Sequence, residues 1–321
     1  MEYGYLRRFL GRILLNPIFC LGAQLSAFSQ QAPEHADPPV IFKKTTDHVS
    51  KTTTVVYRGD TLFFPKPKPF SFITRVPSDL LSLVKSPFRR NAWPWLAGVT
   101  IGSVALIAYD QQITNWVERT SNHFGISPNT SYRVLMRAGN TKVLQVPGNG
   151  TTALYQLGQG GTSLVLAGGV WIYGKLFHDY RAIASASDLT ETFITMAIIT
   201  QVIKRVSGRE SPYEATAPGG RWRLFPSFSA FQKDTPKYDA FPSGHLATLM
   251  ATITVLADNY PEKKWIQPVG YSLMGICMWT MANIEVHWVG DYPLALAIGY
   301  LSGKITAWQH HKKSPPKRML Y

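Results

Sequence analysis

Cysteine, acidic residues and long uninterrupted apolar runs are all scarce in this 321-residue chain. The two cysteines, Cys20 and Cys277, are too few for a thiolate zinc site. If an N-terminal signal is removed, Cys277 stands alone and no internal disulfide can form. Export from the cell must therefore be argued from other features.

The shortage of acidic residues leaves a strongly basic protein. Lysine and arginine number 33 against 19 aspartates and glutamates, which gives a net charge of +14. Such a charge favours anionic partners, namely nucleic acid, an acidic membrane surface or a phosphorylated substrate. The positive residues are spread along the chain, and no zinc-finger, RRM or KH pattern accompanies them. We therefore expect a phosphate-rich surface or substrate and no nucleic-acid partner.

The first 29 residues have the pattern of a signal peptide. Three arginines among the first twelve residues precede an apolar run over 13–28, and Ala27-Phe28-Ser29 offers a small-x-small cleavage site. Cleavage there leaves Gln30 as the mature N-terminus, whereas an uncleaved membrane anchor is the alternative. Either way the pattern predicts an exported protein that is periplasmic or membrane-associated.

Residues 30–92 differ in composition from the rest of the chain. A Thr-rich run over 52–57 is strand-like, and alternating prolines over 65–69 favour extended polyproline II. Ser78 is placed to cap a short amphipathic helix that follows it. We interpret this region as a basic, Pro-containing extension that acts as a linker without chemistry. Residues 309–321 form a basic C-terminal tail.

Residues 93–308 have helical periodicity and predict an all-α bundle of about six core helices. Gly- and Pro-rich joints separate several of the segments, as at 146–150 and 208–241. The predicted helices cover 93–109, 154 or 162–177, 184–206, 245–259, 266–284 and 292–308.

Whether these helices cross a membrane is left open by their composition. A span needs about 20 mostly apolar residues, but the third helix carries Asp188, Glu191 and Gln201. Charges inside a membrane are rare and usually functional. Two outcomes agree with the pattern: an exported helical domain that is water-soluble or peripherally attached, which we favour, or an integral protein whose segments do not all cross.

Phe241-Pro242-Ser243-Gly244-His245 leads directly into an apolar helix. Pro242 and Ser243 suit a helix start, and Gly244 lets a ligand approach the backbone closely. Outward-pointing amides at a helix N-terminus form a natural oxyanion cradle, to which Ser243 adds a hydroxyl and His245 a proton donor. The alternative is an ordinary capped helix with a surface histidine.

His287 and Asp291 stand four residues apart, so on a helix they share one face. The carboxylate can then hold the imidazole by one nitrogen and leave the other free to attack. A surface His–Asp pair of little energetic value is the alternative.

A third group of residues, 204–212, closes the third predicted helix. Lys204 and one or more arginines are candidate phosphate contacts, with Arg209 foremost among the arginines. Cations near a helix C-terminus also offset the helix dipole, which is the structural alternative.

Together these elements resemble the signature of the type 2 phosphatidic acid phosphatase superfamily, which includes class A acid phosphatases and vanadium haloperoxidases. That signature has lysine, six residues and Arg-Pro, then Pro-Ser-Gly-His, then Ser-Arg, five residues, histidine, three residues and aspartate. Here Lys204 and Pro212 fit the first block, residues 242–245 fit the second completely, and His287 with Asp291 fit the third. The resemblance implies a helical bundle of the acid phosphatase type.

Two arginines of the signature are missing. Ser211 stands before Pro212, and Thr280-Met281 replaces Ser-Arg. Each lost charge-assisted partner of a phosphate is worth on the order of 1.5–3 kcal/mol. Either another arginine substitutes, with 205, 209, 221 and 223 nearest in sequence, or the site has lost much of its rate.

The resemblance implies a metal-independent phosphatase with no cofactor. His287 would attack phosphorus, Asp291 would orient it, and His245 would act as acid and then base. Lys204, Ser243, Gly244 and Arg209 would hold the phosphate oxygens. The substrate class is a phosphorylated lipid, an isoprenoid diphosphate or a small phosphate ester at a membrane surface. A non-catalytic phosphate- or lipid-binding relative is the main alternative, and a vanadate-dependent haloperoxidase ranks below it.

Overall fold

The computed structural model describes residues 42–138, 141–310 and 313–314. The predicted signal peptide, its cleavage site and most of the basic C-terminal tail lie outside these residues. Contacts divide the chain into two units, Met1–Ile41 and Phe42–Tyr321, and every described residue belongs to the second unit.

Ten helices and six strands make up the described part of the chain. The strands are β1 Phe42–Asp47, β2 Thr52–Tyr57, β3 Asp60–Pro65, β4 Tyr132–Ala138, β5 Thr141–Pro147 and β6 Lys313–Ser314. The helices are α1 Ser71–Thr74, α2 Val76–Lys85, α3 Trp93–His123, α4 Gly150–Gln156, α5 Gly160–Leu176, α6 Tyr180–Ser207, α7 Phe228–Lys233, α8 Gly244–Asn259, α9 Ile266–Asn283 and α10 Tyr292–His310.

The prediction of a helical bundle with six core helices is confirmed. Those helices are α3, α5, α6, α8, α9 and α10, and most of their bounds fall close to the predicted ones. The main difference is α3, which was expected to end at Tyr109 but continues to His123. Its extension buries polar side chains at Asp110, Thr114 and Ser121, so hydropathy alone does not reveal that this face is covered.

The core of the bundle lies between α6, α8, α9 and α10. Its buried side chains include Met196, Leu246, Met274 and Ile298. Helices α8 and α10 pack closely at Gly299. A Cβ at this position would lie only 2.3 Å from the carbonyl oxygen of Ala247, so a larger residue would not fit. This close packing holds the start of α8, where the candidate site begins, against the start of α10.

The linker interpretation of residues 30–92 differs from the structure over the described residues. The Thr-rich run is a strand as predicted, but it is the second strand of an antiparallel sheet ordered β1-β2-β3-β6. Val55, Leu62 and Phe64 of this sheet form a buried cluster with Ala184 of α6. Alternate apolar side chains on one face of the sheet therefore bind it to the bundle. The short helix begins at Val76, so Ser78 lies inside its first turn rather than at its cap.

An antiparallel hairpin, β4–β5, precedes α4 and was not predicted. The register shifts between Val134 and Met136. Because such an irregularity places neighbouring apolar residues on one strand out of strict alternation, the period-2 signal is weak here.

One described helix, α6, is long and apolar enough to cross a membrane, and 61% of its apolar window is buried inside the protein. The segments Ser71–Phe88 and Trp93–His123 pass the same test only as a pair, bent by 87°. By length and composition the described residues thus offer one such helix, or two if the bent pair counts as one span.

Candidate active site

The N-terminus of α8 carries the start of the site. Ser243 caps the helix as predicted, its hydroxyl accepting a hydrogen bond from the backbone N–H of Leu246 at 3.5 Å. A Cβ on Gly244 would lie 4.0 Å from Cε of Lys204. The lysine side chain from α6 therefore passes directly beside the helix start, where the structure brings Lys204, Ser243 and Gly244 together.

Two imidazoles from distant parts of the sequence face each other at this point. His245 lies in the first turn of α8, and His287 lies in the loop between α9 and α10. Their ring centroids are 5.7 Å apart and their planes make an angle of 69°. Among the described residues, Nε2 of His245 is buried without a hydrogen-bond partner. The site therefore contains an unpaired ring nitrogen on His245, opposite the second histidine.

The loop around His287 differs from the predicted helix. His287 precedes a short 3-10 turn at Val289–Asp291, and Trp288 has an extended ψ of 152°. Nδ1 of His287 lies 2.8 Å from the carbonyl oxygen of Ala240 and 3.6 Å from Oδ2 of Asp291. The carbonyl oxygen, rather than the carboxylate, is thus the hydrogen-bond acceptor for Nδ1–H. With its proton on Nδ1, the ring has its Nε2 lone pair available.

Asp291 instead organises the turn that carries His287. Its Oδ2 accepts the backbone N–H of Trp288 at 2.9 Å, and its own carbonyl oxygen accepts the N–H of Ser243 at 3.2 Å. These two bonds join the turn to the start of α8 and so fix His287 relative to His245.

Arg209 was expected to bind phosphate, but its guanidinium is fully buried and engaged by protein carboxylates. One Nη donates to Asp291 at 2.6 Å, and the other donates to Asp110 at 2.5 Å. The rings of Trp222 and Trp288 lie 4.9 and 5.5 Å from its central carbon. In this arrangement Arg209 binds the residue that shapes the His287 turn.

Two of the remaining arginines near Lys204 in sequence also have protein partners, whereas the third, Arg221, is exposed. Arg205 donates to Gln201 and stacks on Phe231 at 4.5 Å. Arg223 forms an ion pair with the buried carboxylate of Glu210. For these two arginines the structure shows contacts with other protein groups, so neither takes the position of a missing clamp.

The two positions where the resemblance expects clamping arginines are buried and neutral. Ser211 is 2% exposed and Met281 is fully buried. Met281 packs in the apolar core cluster, and its sulfur lies 3.8 Å from the hydroxyl of Ser243. The side chain that replaces an arginine therefore lies next to the cradle without offering it a charge.

Two acidic residues of the site were missed by sequence reasoning. Asp110 of α3 accepts the backbone N–H of Gly290 at 2.7 Å and binds Arg209. Asp239 lies beside Lys204, whose Nζ donates to the Asp239 carbonyl oxygen and is 3.5 Å from its Oδ2. Asp239 carried no motif signal, whereas Asp110 stands out as a lone acid after an apolar helical run.

Tyr155 of α4 packs against the ring of His245. Its ring centroid is 4.5 Å from that of His245, tilted by 33°. A Cβ on Gly158 would lie 2.8 Å from Cβ of His245, so only glycine allows the segment after α4 to approach this closely.

Burial dominates the electrostatics of the site. It lowers the pKa of His245 well below the usual 6.5, and the nearby His287 and Lys204 lower it further. Burial, followed by Lys204, lowers the pKa of His287 to about 3. It raises the pKa of Asp291 to about 6, although Arg209 opposes this shift. Both imidazoles are therefore neutral at pH 7.

Over residues 42–138, 141–310 and 313–314, no three His, Cys, Asp or Glu side chains are grouped as metal ligands. The expectation that catalysis needs no metal stays a prediction.

One comparison with known proteins agrees with the interpretation of the motifs. Residues 186–315 match the sequence model of the PAP2 superfamily, and this segment contains all three motif blocks. The resemblance inferred from the motifs is confirmed over that segment, and the match supports a phosphatase-type function.

No curated protein matches the chain. Among solved structures it is similar to the first transmembrane PAP2 type phosphatidylglycerolphosphate phosphatase from Bacillus subtilis, with 14% identity and a TM-score of 0.39. That alignment covers 75% of this chain and 96% of the other. At this distance neither residue roles nor a substrate transfer between the two proteins.

Proposed function

We propose that the protein is a metal-independent phosphatase that hydrolyses a phosphate ester through a phosphohistidine intermediate. The observation that carries this proposal is the opposition of His245 and His287 at 5.7 Å beside Lys204 and the α8 N-terminus. A nucleophile and an acid–base group on two sides of an anion cradle are the parts that phosphoryl transfer in two steps requires.

In the first step, Nε2 of His287 attacks phosphorus. A nitrogen–phosphorus bond forms, the ester oxygen–phosphorus bond breaks, and the leaving alkoxide takes a proton from His245. Lys204 and the amides at the start of α8 stabilise the charge on the non-bridging oxygens. A bound anion opposes the depressed pKa of His245, so substrate itself favours the protonated acid.

In the second step, His245 removes a proton from water, whose oxygen attacks phosphorus. The nitrogen–phosphorus bond breaks, inorganic phosphate leaves, and His287 is restored. The Ala240 carbonyl holds Nδ1–H of His287 throughout, so that Nε2 keeps its lone pair for attack.

We propose a phosphorylated lipid or isoprenoid diphosphate as the substrate, on an exported, membrane-associated enzyme. Support comes from the net charge of +14 and from exposed apolar side chains near the site, such as Leu224, Phe225 and Phe228, which are 64–74% exposed. Apolar side chains with basic neighbours suit the surface of an anionic membrane.

The test measures turnover of p-nitrophenyl phosphate and of a short-chain phosphatidic acid, with chelator present. We expect His287→Ala to abolish turnover, and His245→Ala to lower it about 10²–10⁴-fold on the lipid. Because p-nitrophenolate leaves without a proton, His245→Ala should accumulate a base-stable, acid-labile phosphoenzyme that His287→Ala never forms. His123→Ala, an exposed histidine at the end of α3, is the matched control and should behave as wild type.

Other outcomes select the alternatives. Phosphate binding without turnover of any ester by the wild-type protein would show a non-catalytic relative, which the neutral positions 211 and 281 favour as second candidate. Halide oxidation that appears only with vanadate would show a haloperoxidase. Turnover that survives in His287→Ala would contradict the phosphohistidine route.

A further inference from the structure

We infer that the cradle selects phosphate groups that carry one negative charge, namely phosphodiesters or singly protonated monoesters. This inference rests on the proposed function only in placing a phosphate between Lys204 and the two histidines. It names the charge class of the ligand, and it disfavours the isoprenoid diphosphate among the proposed substrates, because a diphosphate ester carries at least two negative charges near neutral pH.

The first ground is that Lys204 already interacts with Asp239. Its Nζ donates to the backbone carbonyl of Asp239 and lies 3.5 Å from that residue's carboxylate. Lys204 is nearly buried, whereas the Asp239 side chain is 31% exposed. A phosphate that reaches Lys204 therefore meets a carboxylate of its own sign, and the repulsion grows with each charge on the ligand.

The second ground is that Arg209, the buried arginine beside the His287 turn, is already paired with protein carboxylates, and that the two positions where clamping arginines would stand are neutral. Arg209 is bound on both sides by Asp110 and Asp291, with all three side chains fully buried. Ser211 and Met281 are neutral at the positions where arginines would stand. A cradle with one shared lysine is suited to a singly charged ligand, whereas a dianion needs more positive charge than this pocket offers.

The charge balance of the ionisable groups that the structure describes around the site also favours a ligand with one negative charge. Two cations accompany three carboxyls, and before a ligand binds both imidazoles are neutral, because burial lowers their pKa. Tyr155 and Tyr213 are also neutral, since burial raises the pKa of both phenols. These groups are Lys204 and Arg209; Asp110, Asp239 and Asp291; His245 and His287; and the two tyrosines.

The ligand's own titration provides the test. A phosphate monoester loses its second proton near pH 6, whereas a diester stays a monoanion at all accessible pH values. Methyl phosphate and dimethyl phosphate therefore differ in charge at pH 8 but not at pH 5. Because protein groups titrate identically for both ligands, the diester corrects for any change in the protein.

Binding of the two ligands to the full-length protein is measured by calorimetry or phosphorus NMR at pH 5 and pH 8, at constant ionic strength. We expect the ratio of the methyl phosphate Kd to the dimethyl phosphate Kd to rise by at least about tenfold at the higher pH. A ratio that stays constant or falls would overturn the inference, because the cradle would then accept or prefer the dianion.

Asp239→Asn sharpens the test, since it removes the charge but keeps the backbone carbonyl that binds Lys204. We expect this variant to lose most of the pH-dependent discrimination by binding methyl phosphate more tightly at pH 8. Asp258→Asn is the control, because Asp258 pairs with Lys304 at the C-terminal end of α8 and should leave the ratio unchanged. Discrimination that persists in Asp239→Asn would contradict the role given to this carboxylate.

Failure of the proposed function gives a different result. If neither ligand binds, or if Lys204→Ala leaves both affinities unchanged, the cradle is not a phosphate site and both proposals fall. If both ligands bind through Lys204 with equal pH dependence, only the charge selection is wrong.

Discussion

The charged and polar groups on the two sides of His287 differ in how they are paired. On one side, Arg209 is held between Asp110 and Asp291, and each carboxylate also accepts a backbone N–H, from Gly290 and Trp288 respectively. All three side chains are fully buried.

On the other side, the cradle contains Lys204, shared with Asp239, and His245, whose Nε2 has no hydrogen-bond partner among the described residues. Buried polar groups are normally paired, and exceptions call for an explanation. In the first cluster both carboxylates and both Nη groups of Arg209 are paired, and only Nε of Arg209 lacks a partner. On our proposal, the first cluster serves the fold and the second binds a ligand.

Removing the cation of the buried ion cluster should have the largest effect. Arg209→Leu leaves Asp110 and Asp291 as buried carboxyls without their partner, and we expect the free energy of unfolding to fall by about 3–5 kcal/mol. Arg205→Leu on the exposed side of α6 should change it by about 1 kcal/mol or less. Denaturant titration of both variants measures the difference, and equal losses would contradict the distinction between the two arginines.

Changing Asp110 separates charge from hydrogen bonding within the same cluster. Asp110→Ala leaves the Gly290 amide buried without an acceptor, which costs about 1–3 kcal/mol of unfolding free energy. Asp110→Asn keeps an oxygen for that amide and leaves Arg209 paired one-to-one with Asp291, so its loss should be smaller. If the asparagine variant is as unstable as the alanine variant, the negative charge itself is what the cluster requires.

The pH dependence of the free energy of unfolding tests whether His287 is buried away from solvent. In the fold its pKa is about 3, lowered from 6.5 chiefly by burial. Between these values the unfolded chain binds a proton that the folded protein does not. Stability should therefore fall as the pH drops below 6.5, by up to about 1.4 kcal/mol per pH unit for this residue.

His287→Asn removes that contribution, so its stability should decrease less between pH 7 and pH 5.5 than that of the wild-type protein. Unfolding midpoints at the two pH values measure this. Parallel losses in both proteins would show that His287 is solvated rather than desolvated.

Local patterns predicted the helices and the cap of α8 well. The apolar periodicity of residues 245–259 and the Pro-Ser-Gly start specify where α8 begins, because capping depends on residues within one turn. The β4–β5 hairpin was missed because its irregular register weakens the alternation of apolar residues. The attachment of the N-terminal sheet was missed because it depends on contact with Ala184, which is distant in sequence.

Most residues of the candidate site were predicted from the sequence, but their hydrogen-bond and ion-pair partners were not. Lys204, His245 and His287 are brought together as expected, whereas Arg209 was expected at the phosphate and lies in the ion cluster. No pattern in the sequence indicated that Asp239 contacts Lys204, because a single aspartate in a polar loop belongs to no periodic pattern.

The sequence by itself determined the order of the motif blocks, the cap at Ser243 and the neutral residues at 211 and 281. Only the tertiary structure decided which charges meet. Arg209 finds its carboxylates 99 and 82 residues away, and Lys204 finds Asp239 at a separation of 35. Local patterns report on neighbours within a few residues, whereas an ion pair across the bundle depends on how whole helices pack.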